Sequence, residues 1–223
     1  YLATTSSFRG APTEAMIKDG SNQAIIRAEV DHGSRNILIE AEIARTGRGR
    51  VQVNRQRLTR TRDLLGVLRV TVFSPDDLSI VKGGPSERRR YLDDLLVACH
   101  VRNDSLRADL ERVLRQRNTL LRQSGGRLSE EVETTLDVWD EKLVNYGEAL
   151  AKARIDLIAK IEPVLAEAYR NVANERCDIH MRYEAPWMKR GLRDALISAR
   201  QDELRRGVTL VGPHRDDLAI SIG

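Results

Sequence analysis

Residues 212–217 concentrate chemically useful side chains on a short connection between two predicted strands. They are Gly212, Pro213, His214, Arg215, Asp216 and Asp217, so an imidazole, a guanidinium and two carboxylates follow one another. Two carboxylates and a histidine could hold a divalent cation. No third ligand-bearing position is marked elsewhere in the chain. A polar turn whose side chains bind one another is therefore the alternative.

A second acidic pair, Asp76–Asp77, follows Ser74 and Pro75. Its carboxylates could lie near Mg²⁺. They could equally stabilise the positive end of a short helix that Ser74 caps, because acidic side chains are favourable in a first turn. The sequence leaves both interpretations open.

Several other chemistries have no counterpart in the sequence. No glycine-rich loop is followed by Lys and Ser or Thr, so the chain contains no recognisable phosphate cradle. No Ser/His/Asp elbow or catalytic cysteine context is present. Cys99 and Cys177 are far apart and lack zinc spacing, and two lone cysteines fit a reducing cytoplasm.

Basic residues are distributed unevenly along the chain. The 223 residues carry a net charge of +4, of which residues 1–62 contribute 11 basic against 6 acidic side chains. Seven arginines fall between positions 45 and 62 with no acid among them: Arg45, Arg48, Arg50, Arg55, Arg57, Arg60 and Arg62. An uncompensated cationic run on a hairpin suits phosphate contact and predicts an anionic or nucleic-acid partner. A solvated cluster in an arginine-rich protein is the alternative.

Composition excludes some classes of protein. Hydrophobic residues make up 41%, which is enough for a core, and aromatic residues only 4%, which disfavours a surface for stacking sugars or bases. No apolar run approaches the roughly 18 residues of a membrane span, so we expect no membrane association. The chain begins at Tyr1 and ends in a predicted strand, which indicates an internal piece of a longer protein.

Two regions alternate with the period of β-strands. Residues 23–58 predict a three-stranded antiparallel meander, with apolar positions at Ile25, Val30, Ile37, Ile39, Ile43, Val51 and Val53. Residues 67–73 predict a buried strand because of their β-branched content. Near the end, Ile179, Met181 and Tyr183 predict one strand, and residues 208–211 and 218–222 predict two more, after a short helix at about 191–205.

The middle of the chain is helical. Ser86 is predicted to cap a helix that carries Arg88, Arg89 and Arg90. Two long helices follow, separated by Ser124-Gly125-Gly126, and predict an antiparallel hairpin. The second has a heptad seam at Leu136, Trp139, Leu143, Tyr146, Leu150, Ala153 and Leu157. Arginines at 102–127 and acids at 128–141 are expected to pair across the hairpin; a protein-docking tip is the alternative.

Two motifs resemble the RecF family of bacterial recombination proteins. The first is Phe73-Ser74-Pro75-Asp76-Asp77-Leu78 with Val81-Lys82-Gly83 and Arg88-Arg89-Arg90-Tyr91-Leu92-Asp93. The second is Leu210-Val211-Gly212-Pro213-His214-Arg215-Asp216-Asp217-Leu218. Their spacing, with a helical hairpin between them, is also similar, and Ser7-Phe8-Arg9 resembles the segment after the family's first nucleotide-binding helix, with Phe8 in place of a more usual His.

The resemblance implies an ABC-type ATPase related to SMC proteins, of mixed α/β class, with a sheet lobe interrupted by an inserted helical arm. It implies ATP and Mg²⁺ as cofactors of the full-length parent, an ATP-dependent homodimer, and action with RecO and RecR at DNA gaps to load RecA, in repair and the SOS response. By position in the family's motifs, the residues expected near the nucleotide are Ser7, Phe8, Arg9, Ser74, Asp76 and Asp77. The family-motif residues are Lys82, Gly83, Arg88, Arg89, Arg90 and Asp93, with 212–217.

The resemblance divides the chain into part of the ATPase lobe at 1–94, the arm at 95–172 and a return to the lobe at 173–223. The family's phosphate-binding loop, signature motif and acidic strand would lie outside the chain, so we expect this piece alone not to hydrolyse ATP. Two alternatives remain: an arm that serves as a RecR-docking module, and another short-armed SMC-like ATPase.

Overall fold

The computed structural model describes residues 1–7, 9–33, 35–72, 74–173 and 178–223, without the side chains of His32, Arg35 and Asp76. The chain divides into two compact units, Tyr1–Asp77 and Leu78–Gly223. This division falls at one place, whereas the resemblance implies boundaries near 94 and 172. The assignment of those three segments to lobe and arm stays a prediction.

The first unit is built on an antiparallel meander, as the alternation predicts. Its four strands run in the order β1-β2-β3-β4, with bounds β1 Gln23–His32, β2 Arg35–Ala44, β3 Arg50–Val53 and β4 Gln56–Arg57. The fourth strand, only two residues long, was not predicted. Ile39, Ala41 and Val51 are buried on one face of the sheet against Leu2 and Leu64.

One apolar position of the meander was placed on the wrong face. Ile25 is 63% exposed, whereas Ile26, Ala28 and Val30 pack on the core. Positions 25 and 30 have opposite parity, so a strand with period two cannot bury both. The apolar pair Ile25–Ile26 left this register ambiguous in the sequence.

The predicted strand at 67–73 is wrong for the residues that the structure describes. Residues 67–72 form no strand ladder, only an isolated bridge between Leu65 and Leu68, and Val70 is 56% exposed. Phe73 lies outside the described residues. Strand propensity is realised through packing and pairing with a neighbouring strand, and none of the described strands pairs with this segment.

The second unit consists of five helices and a two-stranded antiparallel sheet within the described residues. The bounds are α1 Ser79–Lys82, α2 Pro85–Cys99, α3 Arg102–Gln123, α4 Glu130–Ala173, β5 Ile179–Glu184, α5 Leu192–Arg206 and β6 Asp217–Ile222. Helices α3 and α4 form the predicted antiparallel hairpin around Gly125 and Gly126. Their core continues without a break into α2, α5, β5 and β6.

Two local predictions in this unit are wrong. Gly84, not Ser86, is the N-cap of α2, and Pro85 occupies the first helical position, where its fixed φ and missing N–H are tolerated. Residues 208–211 form no strand. Side chains bind their backbone instead, because the Thr209 N–H donates to Asn118 Oδ1 and the Leu210 N–H donates to Glu203 Oε1.

Candidate functional site

The seven arginines of the predicted DNA-binding cluster are all exposed and lie in the first unit. Two of them have partners: Arg45 donates to the Ser21 carbonyl at 3.0 Å, and Arg60 lies 3.9 Å from Asp63. The other five make no ion pair with any described residue. We call them the free arginines: Arg48, Arg50, Arg55, Arg57 and Arg62.

Strand register places two free arginines on one face of the sheet. Gln52 is the cross-strand partner of Arg57 on β4 and lies two residues after Arg50 on β3. Because residues two apart share a face and cross-strand partners also share it, Arg50 and Arg57 are diagonal neighbours, about 7–8 Å apart. This face is opposite to the one that buries Val51.

The same face carries carboxylates further from the β3–β4 edge. Glu42 lies opposite Arg50 and Glu40 lies opposite Gln52. Glu40 is bound by Arg27 of β1, with 2.6 Å between Nη2 and Oε1. The positive potential is therefore confined to the β3–β4 edge and does not cover the whole sheet.

The turn between β3 and β4 presents Arg55 at its tip. Asn54 and Arg55 have φ of 50° and 66°, so both are in the left-handed region. The Asn54 side chain accepts the Leu38 N–H at 2.8 Å, and the Asn54 N–H donates to the Leu38 carbonyl at 2.7 Å. The turn is thus tied to β2 and holds an arginine where glycine is usually favoured.

The residues expected near the nucleotide make local contacts. Ser7 Oγ accepts the N–H of Arg9 at 3.3 Å, and Asp77 Oδ2 accepts the N–H of Ser74 at 2.7 Å. Phe8 lies outside the described residues, as does the side chain of Asp76. The contact of Asp77 is that of a cap on the turn Pro75–Leu78, which favours the helix-end interpretation of this acidic pair.

In the second unit, the two family motifs come together between α2 and residues 212–217. Arg88 forms a bidentate pair with Asp217, with 2.8 and 2.9 Å between nitrogen and oxygen, and also donates to the Gly83 carbonyl at 2.7 Å. Arg89 donates to the Asp216 carbonyl at 2.7 Å. Hydrogen bonding from Arg88 lowers the pKa of Asp217. We call these contacts the motif cluster.

Asp216 is the buried centre of the motif cluster. Its Oδ2 accepts the Tyr183 hydroxyl at 2.7 Å, and its Oδ1 accepts the Trp187 indole N–H at 2.8 Å. Burial raises the pKa of the Asp216 carboxyl, and these two donors oppose the rise. Both carboxylate oxygens are used to fix the loop.

Arg154 of α4 closes the motif cluster from the other side. It forms a bidentate pair with Asp93 of α2, 2.8 Å for each hydrogen bond, and donates to the Pro213 carbonyl at 2.8 Å. Burial alone would lower the pKa of the Arg154 guanidinium, but the hydrogen bonds and charge of Asp93 raise it. Helix α4 is therefore bound directly to both motifs.

His214 and Arg215 both bind one carbonyl oxygen. His214 Nε2 donates to the Thr209 carbonyl at 3.1 Å, and Arg215 Nη2 donates to it at 3.2 Å. Burial lowers the pKa of His214 to about 4, and the charges of Arg215, Arg89 and Arg117 act in the same direction. The imidazole is therefore neutral at physiological pH.

These contacts favour the polar-turn interpretation of residues 212–217 over a metal site. Among the described residues no group of three His, Cys, Asp or Glu side chains could hold a metal ion. Asp216 and Asp217 are bound by protein donors. Lys82 ends α1 and is exposed, and Arg90 pairs with Glu87. The described residues do not by themselves fit Mg²⁺ or a phosphate cradle.

Sequence reasoning missed a buried ionic group that supports residues 208–211. Arg117 of α3 is fully buried; its Nε donates to Asp140 at 2.6 Å, and its Nη1 donates to Thr209 Oγ1 at 2.9 Å. Its Nη2 lies 2.7 Å from Glu203 Oε2 without hydrogen-bond geometry, so this contact is an ion pair only. Arg200 of α5 binds Asp137 and Asp140.

A signal for that buried group was present in the heptads of α4. Asp140, Gly147 and Arg154 recur every seven residues and are all buried. They share the seam with Leu136, Leu143, Leu150 and Leu157, whereas Trp139, Tyr146 and Ala153 are only partly buried. The apolar pattern of the sequence predicts Trp139, Tyr146 and Ala153 as seam positions. The buried residues lie one position later, and two of those three are charged.

None of the helices in the described part of the chain combines the length and apolar character needed to cross a membrane.

No family model matches the chain. Curated proteins, in contrast, match it along its whole length. The chain is 41% identical to the DNA replication and repair protein RecF of Kineococcus radiotolerans over 245 residues, and 41% identical to that of Streptomyces avermitilis over 238 residues. Each match covers the whole chain, which spans about 63% of the relative's length.

Solved structures give the same result. The chain is similar to the recombination mediator protein RecF–ATPrS in the RecFOR pathway, with a TM-score of 0.90 and 27% identity over 99% of this chain and 62% of that one. A RecF–ATP structure of the same pathway matches with a TM-score of 0.90 and 26% identity. The match confirms the predicted fold class, a mixed α/β body of ABC-ATPase type interrupted by a helical hairpin.

Proposed function

The chain belongs to the RecF family, and from this premise we propose that it is the DNA-contacting and arm-bearing part of an ATP-binding repair protein. Its relatives are named for DNA replication and repair, and its structural neighbours for complexes with ATP and an ATP analogue. The five free arginines carry the DNA part of the proposal, because none of them forms an ion pair with a described carboxylate.

The β3–β4 edge suits phosphates better than bases. Cationic side chains on a short turn can reach a nucleic-acid backbone without being buried. Residues 23–72 contain no Phe, Tyr or Trp, so no aromatic ring there can stack on a base. Binding through this edge is therefore expected to be independent of sequence and sensitive to salt.

Charge reversal in the full-length parent tests this proposal. We expect Arg48→Glu, Arg50→Glu and Arg57→Glu together to weaken DNA binding and to flatten its salt dependence, because three phosphate contacts become repulsive. The matched control reverses three arginines of exposed ion pairs, Arg112, Arg115 and Arg182. Unchanged DNA binding by the first triple, across several salt concentrations, would overturn the proposal.

We further propose that Ser7, Phe8, Arg9, Ser74, Asp76 and Asp77 lie near the nucleotide in the parent. The relation to RecF–ATP structures supports this. Bound ATP and Mg²⁺ would supply the reacting phosphate and its counter-charge. The described residues here contribute capping contacts and no recognisable phosphate cradle. We expect the 223-residue chain alone not to hydrolyse ATP, which a phosphate-release assay against the full-length parent would check.

The partners of the full-length parent are proposed from its similarity to the RecF proteins. We infer that it forms an ATP-dependent homodimer in the cytoplasm and acts with RecO and RecR at DNA gaps to promote RecA loading, in recombinational repair and the SOS response. The structural neighbours are named as members of the RecFOR pathway, which supports this grouping. If the arm is instead a RecR-docking module alone, the chain will retain RecR but will not retain DNA.

A further inference from the structure

Three exposed cations lie together at the start of α5 in the second unit. Lys189 and Arg190 end the turn that begins at Pro186, and Arg193 is the second residue of the helix. No acid stands between positions 185 and 193. None of the three side chains forms an ion pair or a hydrogen bond with a residue that the structure describes. We call them the α5 basic patch.

The backbone of the α5 basic patch is tied down on both sides. The indole of Trp187 is buried and donates to Asp216 Oδ1 at 2.8 Å, and the Arg190 N–H donates to the Trp187 carbonyl at 3.1 Å. On the other side Leu192 is fully buried, and its N–H donates to Glu148 Oε1 at 3.4 Å. The segment is thus attached to the motif cluster and to α4, while its three cationic side chains stay exposed.

The carboxylates around the α5 basic patch do not neutralise it. Glu184 is bound by Arg182, and Glu148 accepts the backbone N–H of Leu192. Asp194 is exposed in the first turn of α5. Three cations stand against Asp194 and Glu148, so the surface remains positive even when both acids are counted against it.

Stability of the helix does not explain why these cations lie where they do. The N-terminal end of a helix carries a partial positive charge, so cations are unfavourable there and favourable at the C-terminal end. Helix α5 follows this preference at its other end, where Arg205 and Arg206 lie in the last turn. The α5 basic patch opposes it, and its like charges also repel one another. An anionic partner would relieve both effects.

We propose that the α5 basic patch binds phosphates of duplex DNA, as a contact surface additional to the free arginines. Cationic side chains beside a short turn can reach a nucleic-acid backbone without being buried. The one aromatic ring of the segment, Trp187, is buried, so no exposed ring is available to stack on a base. Met188 and Ile197 are exposed, but single apolar side chains are ordinary on protein surfaces.

DNA is favoured over an acidic protein because the relatives of the chain are named for DNA replication and repair. The proposal therefore rests on the proposed function, DNA binding by the full-length parent. It does not rest on the contribution of the free arginines, which belong to the other unit.

Titration of the full-length parent with duplex DNA at several salt concentrations tests the proposal. In the neutral variant Lys189→Gln/Arg190→Gln/Arg193→Gln, the slope of log affinity against log salt should fall by about 2.7, because three phosphate contacts are lost. The matched control Arg112→Gln/Arg115→Gln/Arg182→Gln removes the same charge from exposed, paired arginines of the same unit and should keep the slope. The charge-retaining variant Lys189→Arg/Arg190→Lys/Arg193→Lys should also keep it.

A fall in slope smaller than about 0.9, which is less than one phosphate contact, would overturn the proposal. So would an equal loss of slope in the control or in the charge-retaining variant. A neutral variant that keeps the slope for DNA but loses affinity for polyglutamate would assign the patch to an acidic protein instead. Failure of the proposed function is distinct, because the unchanged parent would then not bind duplex DNA, and both proposals would fall.

Discussion

Arg117 joins several elements near the turn of the α3–α4 hairpin. It is fully buried and contacts Asp140 on α4, Glu203 on α5 and Thr209 on the segment before the second motif. Buried charges are tolerated when they are paired, and removal of one partner leaves the others uncompensated. Arg117 therefore joins two arm helices to α5 and to the loop that bears His214.

Replacement of Arg117 by alanine should destabilise the chain strongly. We expect Arg117→Ala to lower the free energy of unfolding by about 3–5 kcal/mol, because Glu203 loses its buried counter-charge and Asp140 keeps only Arg200. Arg112→Ala removes an exposed arginine paired with Asp109 on the same helix and should cost below about 1 kcal/mol. Chemical denaturation measures both. Equal losses of unfolding free energy in the two variants would show that the buried ionic group stabilises the chain no more than an exposed ion pair does.

His214 should make stability depend on pH. Burial depresses the pKa of His214 to about 4 in the folded chain, whereas an unburied histidine has a pKa of 6.5. Between those values the unfolded chain binds the extra proton, so this contribution is complete above pH 6.5 and is lost as the pH falls towards 4. We expect a slope of up to about 1.4 kcal/mol per pH unit in that window.

The substitution His214→Gln, which keeps a donor near the Thr209 carbonyl, should flatten the slope. Denaturant unfolding at pH 7, 6 and 5 would measure the difference between the two chains. Asp217, whose pKa is lowered by Arg88, loses its own contribution at lower pH. A slope that persists unchanged in the variant would assign the pH dependence to other groups.

At the scale of elements, hydrophobic periodicity in the sequence predicts the helices and strands that depend on a local pattern. It does not show whether a segment has a strand to pair with or a side chain that binds its backbone. The meander, the arm hairpin and α5 follow from local patterns. Residues 67–72 and 208–211 have strand-like composition, but the first has no pairing strand among those described and the second is bound by Asn118 and Glu203. Neither circumstance can be read from the segments themselves.

The β3–β4 turn should be more stable without its arginine. Arg55 has φ of 66°, a conformation that costs roughly 1–2 kcal/mol for a residue with a side chain and little for glycine. We therefore expect Arg55→Gly to raise the thermal stability of the chain while weakening DNA binding by the full-length parent. Calorimetry and a DNA titration measure the two effects. Lower stability, or unchanged DNA binding, would contradict a functional reason for arginine at this position.

At the scale of the whole molecule, arginines fall into two groups by burial. Arginines with little exposure in the second unit are paired, as Arg88, Arg117, Arg154 and Arg200 show. Exposed arginines without an ion pair among the described residues occur in both units, and the five free arginines differ in being close together in sequence around one hairpin. The sequence predicted this cluster from charge counting, but it could not separate Arg45 and Arg60, whose partners are fixed by folding. The pairing of Arg154 with Asp93 joins residues 61 positions apart and has no local signal.

The salt dependence of DNA binding tests the central claim most directly. The full-length parent and its Arg50→Gln/Arg57→Gln variant would be titrated with duplex DNA at several salt concentrations. The control is Arg27→Gln/Arg182→Gln, which removes equal charge from paired, exposed arginines. If Arg50 and Arg57 each bind a phosphate, the slope of log affinity against log salt should fall by about 1.8 in the first variant and stay unchanged in the control. Equal slopes in all three proteins would contradict the claim.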